Sequence, residues 1–281
     1  MTPAPHWQTS RFRIDLSTPR VMGIVNLTPD SFSDGGAHSG RVAGLKHCEQ
    51  LVAEGADMLD LGGESTRPGA AEVGVAEELD RVMPVLEGAL KLGVPVSVDT
   101  RKAEVMRAVL AAGADIVNDV DALRSPGALD VIAAHPACGV CLMHMPGSPQ
   151  TMQQLAAYDD VVHAVVAFLR ERCAVLDGAG IAAERVVVDP GIGFGKRIEH
   201  NLELLRRQEE LLAICRPLLL GWSRKSTLGA ATDRPVGDRL AASLAAALIA
   251  VQRGARIVRV HDVAATVDVL KVWRAVQAPR R

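Results

Sequence analysis

Aromatic side chains are scarce in this chain: four Phe, three Trp and one Tyr among 281 residues. So few argue against a surface that stacks the bases of single-stranded nucleic acid. An excess of one charge sign is missing too. The 31 basic residues meet 33 acidic ones, for a formal net charge of -2, whereas a general nucleic-acid binder is usually strongly basic. No apolar run approaches the ~20 residues that a membrane-spanning helix needs. The best candidate, Ala241 to Val251, includes Ser243 and reads as a buried helix. The opening segment MTPAPHWQTSRFRID has no apolar core and no small-residue cleavage site, so no export signal is expected. Cysteine is sparse as well. Five of them, an odd number in a chain large enough to need no staples, favour a reducing cytoplasm.

What is present is alternation. Short, β-branched apolar runs lie at Val21–Val25, Met58–Leu61, Val94–Val98, Asp115–Val117, Val140–Met143, Val186–Val188, Pro217–Leu220 and Arg256–Val260. Their near-continuous apolarity suits parallel strands buried on both faces. Between them, Leu45–Glu54, Val75–Leu90, Ala103–Ala112, Ala128–Ala134, Val161–Asp177, Asn201–Leu212, Leu240–Arg253 and Val263–Ala275 have helical period. Gly55-Ala56-Asp57, Gly113-Ala114-Asp115 and Gly254-Ala255-Arg256 each close a helix and open a strand. Gly suits that joint because it takes the left-handed conformation without penalty. Eight such units predict a single α/β domain, a closed (β/α)8 barrel. An open doubly wound sheet is the competing reading. The expected division is an extension over residues 1–20, packed on a barrel over 21–281.

Barrel active sites form where the strands end and the following loops converge. All eight strand ends here are polar: Asn26, Asp60, Asp99, Asn118-Asp119, His144, Asp189, Ser223-Arg224-Lys225, and Arg259 with His261. Such a ring mixes carboxylates with cations and suits a two-ended ligand. Asp99, Asn118 and Asp189 can bind an N–H-rich heterocycle, while Arg67, Arg259 and His261 can hold an anion. The plain alternative is a structural ion-pair network of Asp99, Asp189, Lys225 and Arg259. The position of the basic groups after the last two strands favours the ligand, since barrels often hold phosphate there.

Two loops rich in Gly and Pro follow the first two barrel strands, at 28–36 and 62–69. They read equally as lids or as ordinary turns. The segment Gly191-Ile192-Gly193-Phe194-Gly195-Lys196 lacks the spacing of a dinucleotide fingerprint, and Arg197 stands where a phosphate-binding loop needs Ser or Thr. Cys138-Gly139-Val140-Cys141 opens a strand rather than a helix, which favours inert buried thiols over a redox pair. The histidines other than His144 and His261 show no ligand spacing.

The segment Met22-Gly23-Ile24-Val25-Asn26-Leu27-Thr28-Pro29-Asp30-Ser31-Phe32-Ser33-Asp34-Gly35-Gly36 resembles the opening signature of the dihydropteroate synthases. Gly62-Gly63-Glu64-Ser65-Thr66-Arg67-Pro68-Gly69, Ser97-Val98-Asp99-Thr100 and Val117-Asn118-Asp119-Val120 resemble the same family. So do Leu142-Met143-His144-Met145, Asp189 to Lys196, Ser223-Arg224-Lys225-Ser226 and Arg259-Val260-His261-Asp262. The matches fall in order, one per predicted strand.

The resemblance implies a single barrel, usually a homodimer. Its implied activity condenses 6-hydroxymethyl-7,8-dihydropterin pyrophosphate with p-aminobenzoate, and sulfonamides compete with the latter. By likeness, Asp99, Asn118, Asp189 and Lys225 would bind the pterin edge, and Met143, Phe194 and Gly221 would line its slot. Arg259 would stack on the ring and, with Asn26, Arg67 and His261, hold the pyrophosphate. Asn26 would also ligate Mg2+. Phe32, Pro68, Ser223 and Lys225 would enclose p-aminobenzoate. Asp34, Lys225 and Arg259 are the implied catalytic groups, with Asp34 stabilising a pterinylmethyl cation. Two positions depart from the family pattern: Pro146, where Gln is frequent, and Trp222, where a smaller apolar residue is common. Three other readings stay open: a pterin-binding methyltransferase barrel, an aldolase-type barrel using Lys225 as a Schiff base, and a non-catalytic pterin-binding paralogue.

Overall fold

A computed structural model describes residues 6–28, 36–66 and 69–277, with side chains from residue 40 onward in the first helix. Two short strands, β1 (His6–Gln8) and β2 (Arg13–Asp15), form an antiparallel hairpin. Eight more close a parallel barrel: β3 (Arg20–Asn26), β4 (Met58–Gly62), β5 (Val96–Asp99), β6 (Ile116–Asp119), β7 (Gly139–Met143), β8 (Val186–Asp189), β9 (Leu218–Leu220) and β10 (Ala255–Val260). The helices are α1 (Gly36–Ala53), α2 (Val75–Ala89), α3 (Ala103–Ala111), α4 (Ala128–Ala134), α5 (Val161–Gly178), α6 (Ile198–Arg206), α7 (Ser226–Thr232), α8 (Leu240–Gln252) and α9 (Val263–Gln277). The closed barrel expected from the alternation is therefore the observed one, and the open sheet is not.

The period of two along each strand explains both the core and the site. Outward residues such as Val25, Leu59, Leu61, Val96, Val98, Val117, Val140, Leu142, Val186 and Val188 join one large cluster with the helices. Inward residues near the strand starts form a second one: Met22, Met58, Ile116, Cys141, Val187, Leu219 and Ile257. Trp7, Ile14 and Leu16 from the hairpin segment belong to that second cluster and close the bottom of the barrel. The Trp7 indole donates to the Arg185 carbonyl at 2.9 Å. Arg11 forks onto Asp115 with contacts of 3.0 and 2.7 Å.

The repeated helix–Gly–strand joint behaves as its composition demands. Gly55, Gly113 and Gly254 have φ of +98°, +106° and +96°. In the first two copies the following Asp also serves the neighbouring strand. Asp57 accepts from the Val21 amide at 2.8 Å, and Asp115 from the Val96 amide at 2.9 Å. At the head of α5, Asp160 caps the helix by accepting from the amides of Val162 and His163.

Sequence periodicity missed three features. The strands β1 and β2 are three residues each, too short to display alternation. The short α7 reads STLGAAT, with too few apolar positions to define a face. The helix expected over Asn201–Leu212 breaks at Arg206 and continues as a 3-10 turn over Gln208–Ile214.

Candidate active site

Each barrel strand places its last inward position at one mouth. Asn26 lies in register with Gly62, Gly62 with Asp99, and Asp99 with Asn118. Further round, Met143 pairs with Asp189. Gly221 and Arg259 complete the inward row on β9 and β10 by the same alternation. One layer below lie Asp60 and Ser97, both fully buried and paired in register.

Arg259 is the hub of this mouth. Its Nε donates to Asp60 Oδ2 at 2.6 Å, and a terminal nitrogen donates to Asp99 Oδ2 at 3.2 Å. The Asn118 amide donates to the same Asp60 oxygen at 3.1 Å. The other Asp60 oxygen, Oδ1, is buried without a partner. Part of the ring is thus an ion-pair network, as the plain alternative held. It does not close on Asp189, whose Oδ1 accepts instead from the Gly191 amide at 2.7 Å.

Burial sets the protonation of these groups, and neighbours modify it. Burial and then the charge of Asp60 push Asp99 up to about 8, against the pull of Arg259. Burial also raises Asp189, opposed by the Gly191 hydrogen bond and by Lys225. Lys225 falls to about 8, chiefly through burial, although Asp189 favours its charge. Its ammonium lies 4.3 Å from the centroid of the Phe194 ring. Phe194 packs in turn on a small apolar cluster of Val120, Met143, Met145 and Met152. A Cβ added at Gly221 would meet nothing within 4 Å.

His261 and Ser223 form a separate pair. Ser223 Oγ lies 3.0 Å from His261 Nδ1 and accepts from the His261 amide at 3.2 Å. Burial and the nearby arginines lower His261 to about 4, so its ring is neutral near pH 7. Two strand-end residues point elsewhere. Asp119 accepts from the amides of Asp121 and Leu123, both at 2.7 Å, and so braces its own turn. Arg224 reaches outward to Asp262 at 2.6 Å.

The loop after β8 is shaped by its glycines. Gly191 has φ +70°, and a Cβ there would lie 2.0 Å from the His144 carbonyl oxygen. Only glycine allows the two chains to approach so closely. Lys196 fills the space behind this loop, and burial lowers it to about 7. His144, next to it, is held neutral, lowered to about 2 by burial and then by Lys196. His144 therefore braces the loop rather than facing the ring of polar groups.

Phe32, Asp34, Arg67 and Pro68 lie outside the described residues. Among the described residues no group of three or more His, Cys, Asp or Glu side chains converges as a metal site would require. Cys138 and Cys141 are buried free thiols raised by burial, in line with an inert role. Sequence reasoning assigned no role to two residues that organise the mouth. Asp60 had a signal, since it is the lone charge on an inward position of an otherwise apolar strand. Lys196 had none, because three of its four partners are main-chain carbonyls, which carry no sequence signature.

The comparisons with known proteins agree with this geometry. A family profile described as pterin binding enzyme matches residues 22–261. The dihydropteroate synthase of Neisseria meningitidis serogroup B is 53% identical over 275 residues, covering 96% of each chain. The Xanthomonas albilineans dihydropteroate synthase, solved with 4-aminobenzoic acid, superposes with a TM-score of 0.93 at 52% identity, covering 99% of this chain and 100% of that one. The Burkholderia cenocepacia enzyme, solved with 7,8-dihydropteroate, gives a TM-score of 0.89 at 49% identity over 99% and 98% of the two chains. Family match, near-complete relatives and polar barrel mouth lead to one assignment: this chain belongs to the pterin-binding enzymes and, among them, to the dihydropteroate synthases.

Proposed function

We propose that this chain joins 6-hydroxymethyl-7,8-dihydropterin pyrophosphate to p-aminobenzoate, giving 7,8-dihydropteroate and pyrophosphate. The observation that carries the reading is the set Asp99, Asn118 and Asp189, ranged at the mouth where the Arg259 guanidinium sits between two carboxylates. The set offers acceptors to the N–H groups of a pterin edge, beside a cation suited to a diphosphate.

In this reading Asp99, Asn118, Asp189 and Lys225 bind the pterin edge, and Met143, Phe194 and Gly221 line its slot. Arg259 stacks on the ring and, with Asn26, Arg67 and neutral His261, holds the diphosphate. Phe32, Pro68, Ser223 and Lys225 enclose p-aminobenzoate. The C–O bond to the diphosphate breaks, and its electrons leave with pyrophosphate. Arg259 and Arg67 stabilise that charge. Asp34 would stabilise the pterinylmethyl cation, and the aromatic amine then attacks and loses a proton. No protein nucleophile takes part.

Asn26 offers a single amide oxygen at the end of β3, and among the described residues no cluster of acids that could hold a metal ion stands beside it. That donor set fits a Mg2+ ion that keeps waters and takes its remaining ligands from substrate phosphate oxygens. When bound there, the ion would neutralise charge on the departing diphosphate.

A homodimer is part of the same proposal. The outer faces of α8 and α9 expose Leu240, Ile249, Val272 and Val276, beside a groove of about 430 Å³ lined by Leu248, Val269 and Trp273. Apolar surface of this kind is usually covered. A reducing cytoplasm is supported by the five free thiols. No helix among the described residues is long and apolar enough to cross a membrane.

The test is pyrophosphate release from the dihydropterin substrate with Mg2+, with and without p-aminobenzoate. The expected result is release coupled to formation of dihydropteroate. Tight pterin binding without product would turn the assignment toward a binding paralogue or a methyltransferase-type barrel. Trapping of a carbonyl substrate by borohydride would turn it toward Schiff-base chemistry at Lys225.

A further inference from the structure

Lys196 is almost wholly buried, yet every hydrogen-bond partner of its ammonium is neutral, and the charges that act on it, Asp189 and Lys225, do so without a hydrogen bond. It donates to the carbonyls of Gly191 and Phe194, each at 3.0 Å, and to that of His144 at 3.2 Å. The His144 ring nitrogen Nδ1 lies 2.9 Å away. Burying a charge among neutral acceptors is costly, and an apolar side chain would fill the same volume at less cost. What the ammonium adds is direction, because it fastens the β8–α6 loop to the end of β7.

Both ends of that tie are firm. The His144 amide donates to the Asp189 carbonyl at 3.0 Å, and the His144 ring sits edge-on to Phe168 at 5.0 Å. On the loop's other flank, Asn201 accepts from the Gly193 amide at 2.8 Å and donates to Thr227, two residues beyond Lys225. The loop so held carries Phe194, which lies beneath the Lys225 ammonium, and supplies the Gly191 amide to Asp189. We propose that Lys196 is a positioning residue for pterin binding: by tying residues 191–194 to the end of β7 it sets where Phe194 and Asp189 meet the pterin. The inference rests on the function proposed above for this mouth.

The test compares wild type with Lys196→Met, which keeps the volume and loses all donors, and with Lys196→Gln, which keeps two N–H donors. Steady-state kinetics would give the Michaelis constants of both substrates, and calorimetry the affinity for inorganic pyrophosphate and for 6-hydroxymethylpterin. In Lys196→Met the constant for the dihydropterin substrate should rise about 30-fold, from the carbonyls left unsatisfied and a loop set free. The constant for p-aminobenzoate, kcat and pyrophosphate affinity should stay within about threefold. Lys196→Gln should fall between the two. Unchanged pterin binding in folded Lys196→Met overturns the proposal, and so does an equal loss in every constant. Failure of both variants to fold also overturns it, since Lys196 would then be structural. If wild type itself makes no dihydropteroate, the function proposed above falls, while the 30-fold loss of hydroxymethylpterin affinity still decides the role of Lys196.

Discussion

The Nε of Arg259 lies 2.6 Å from Oδ2 of Asp60, and that oxygen also accepts from Asn118. One buried carboxylate thus aims both the cation proposed for the diphosphate and an amide proposed for the pterin. Asp60→Asn would keep the shape and remove the charge. Breaking a buried pair of this kind costs about 3 kcal/mol of stability. Pterin and pyrophosphate affinities should both fall about tenfold, equivalent to about 1.4 kcal/mol. Urea unfolding and calorimetry would measure the two effects, and intact binding of both ligands would deny Asp60 an orienting role.

Arg259→Ala should be harsher, because it leaves Asp60 and Asp99 facing each other without a cation. Losing one partner of a desolvated charge pair costs about 2–5 kcal/mol. Affinity for pterin and for pyrophosphate should drop together by about 100-fold, since one side chain serves both. Calorimetry with pyrophosphate alone separates the roles: an unchanged constant would remove Arg259 from the diphosphate site.

Lys225 supplies the pH dependence. Burial lowers it to about 8, while Asp189 and Asp99 favour its charge and Arg259 opposes it. The ammonium is therefore present below about pH 8 and lost above it. The value of kcat/KM for the dihydropterin substrate, which reports the free enzyme, should decline on the alkaline side near that pH. In Lys225→Arg the decline should move beyond about pH 10, because a guanidinium stays charged, whatever the absolute rate. A decline at the same pH in both proteins would assign it to another group.

Much of this architecture was legible in the residues. Alternation of Val with Ser and Asp along β5 marked which side chains point inward, and the three helix–Gly–strand joints marked the repeat. The ring of polar strand ends was legible in part: Asn26, Asp99, Asn118, Asp189 and Arg259 stand in the inward row, whereas that row also holds Gly62 and Met143, and Asp119, His144 and Arg224 turn away from it. The partners within the ring were hidden. Nothing in sequence spacing tells that Arg259 bonds Asp60, 199 residues away, or that Asp119 turns back onto its own loop. Lys196 was hidden more deeply, since main-chain carbonyls carry no sequence signature.

Gly191 tests whether the loop after β8 depends on its backbone. The αL conformation alone costs a residue with a Cβ about 1–2 kcal/mol. At Gly191 the added Cβ also meets the His144 carbonyl oxygen at 2.0 Å, with backbone on both sides of the contact. Gly191→Ala should therefore destabilise by about 3 kcal/mol or more, and should weaken pterin binding as the amide leaves Asp189. A stable variant with normal pterin affinity would show that the loop can shift without disturbing the site.

The opposite end of the barrel offers the control. Trp7 is fully buried among Ile14, Leu16 and the inward residues at the strand starts. Removing a buried Trp side chain costs about 3–5 kcal/mol. Yet the four steps along β3 from Met22 to Asn26 put roughly 13 Å between this plug and the mouth, and barrel chemistry resides at the mouth alone. Trp7→Ala should lower the urea midpoint sharply while kcat and both Michaelis constants, measured where the variant is still folded, stay within about twofold. A selective loss of substrate affinity there would mean that the two ends are coupled through the inward layers, and that Met22, Met58 and Ile116 transmit packing to Asp60. Equal kinetics in a weakened protein would separate the residues that hold the barrel closed from those that act at its mouth.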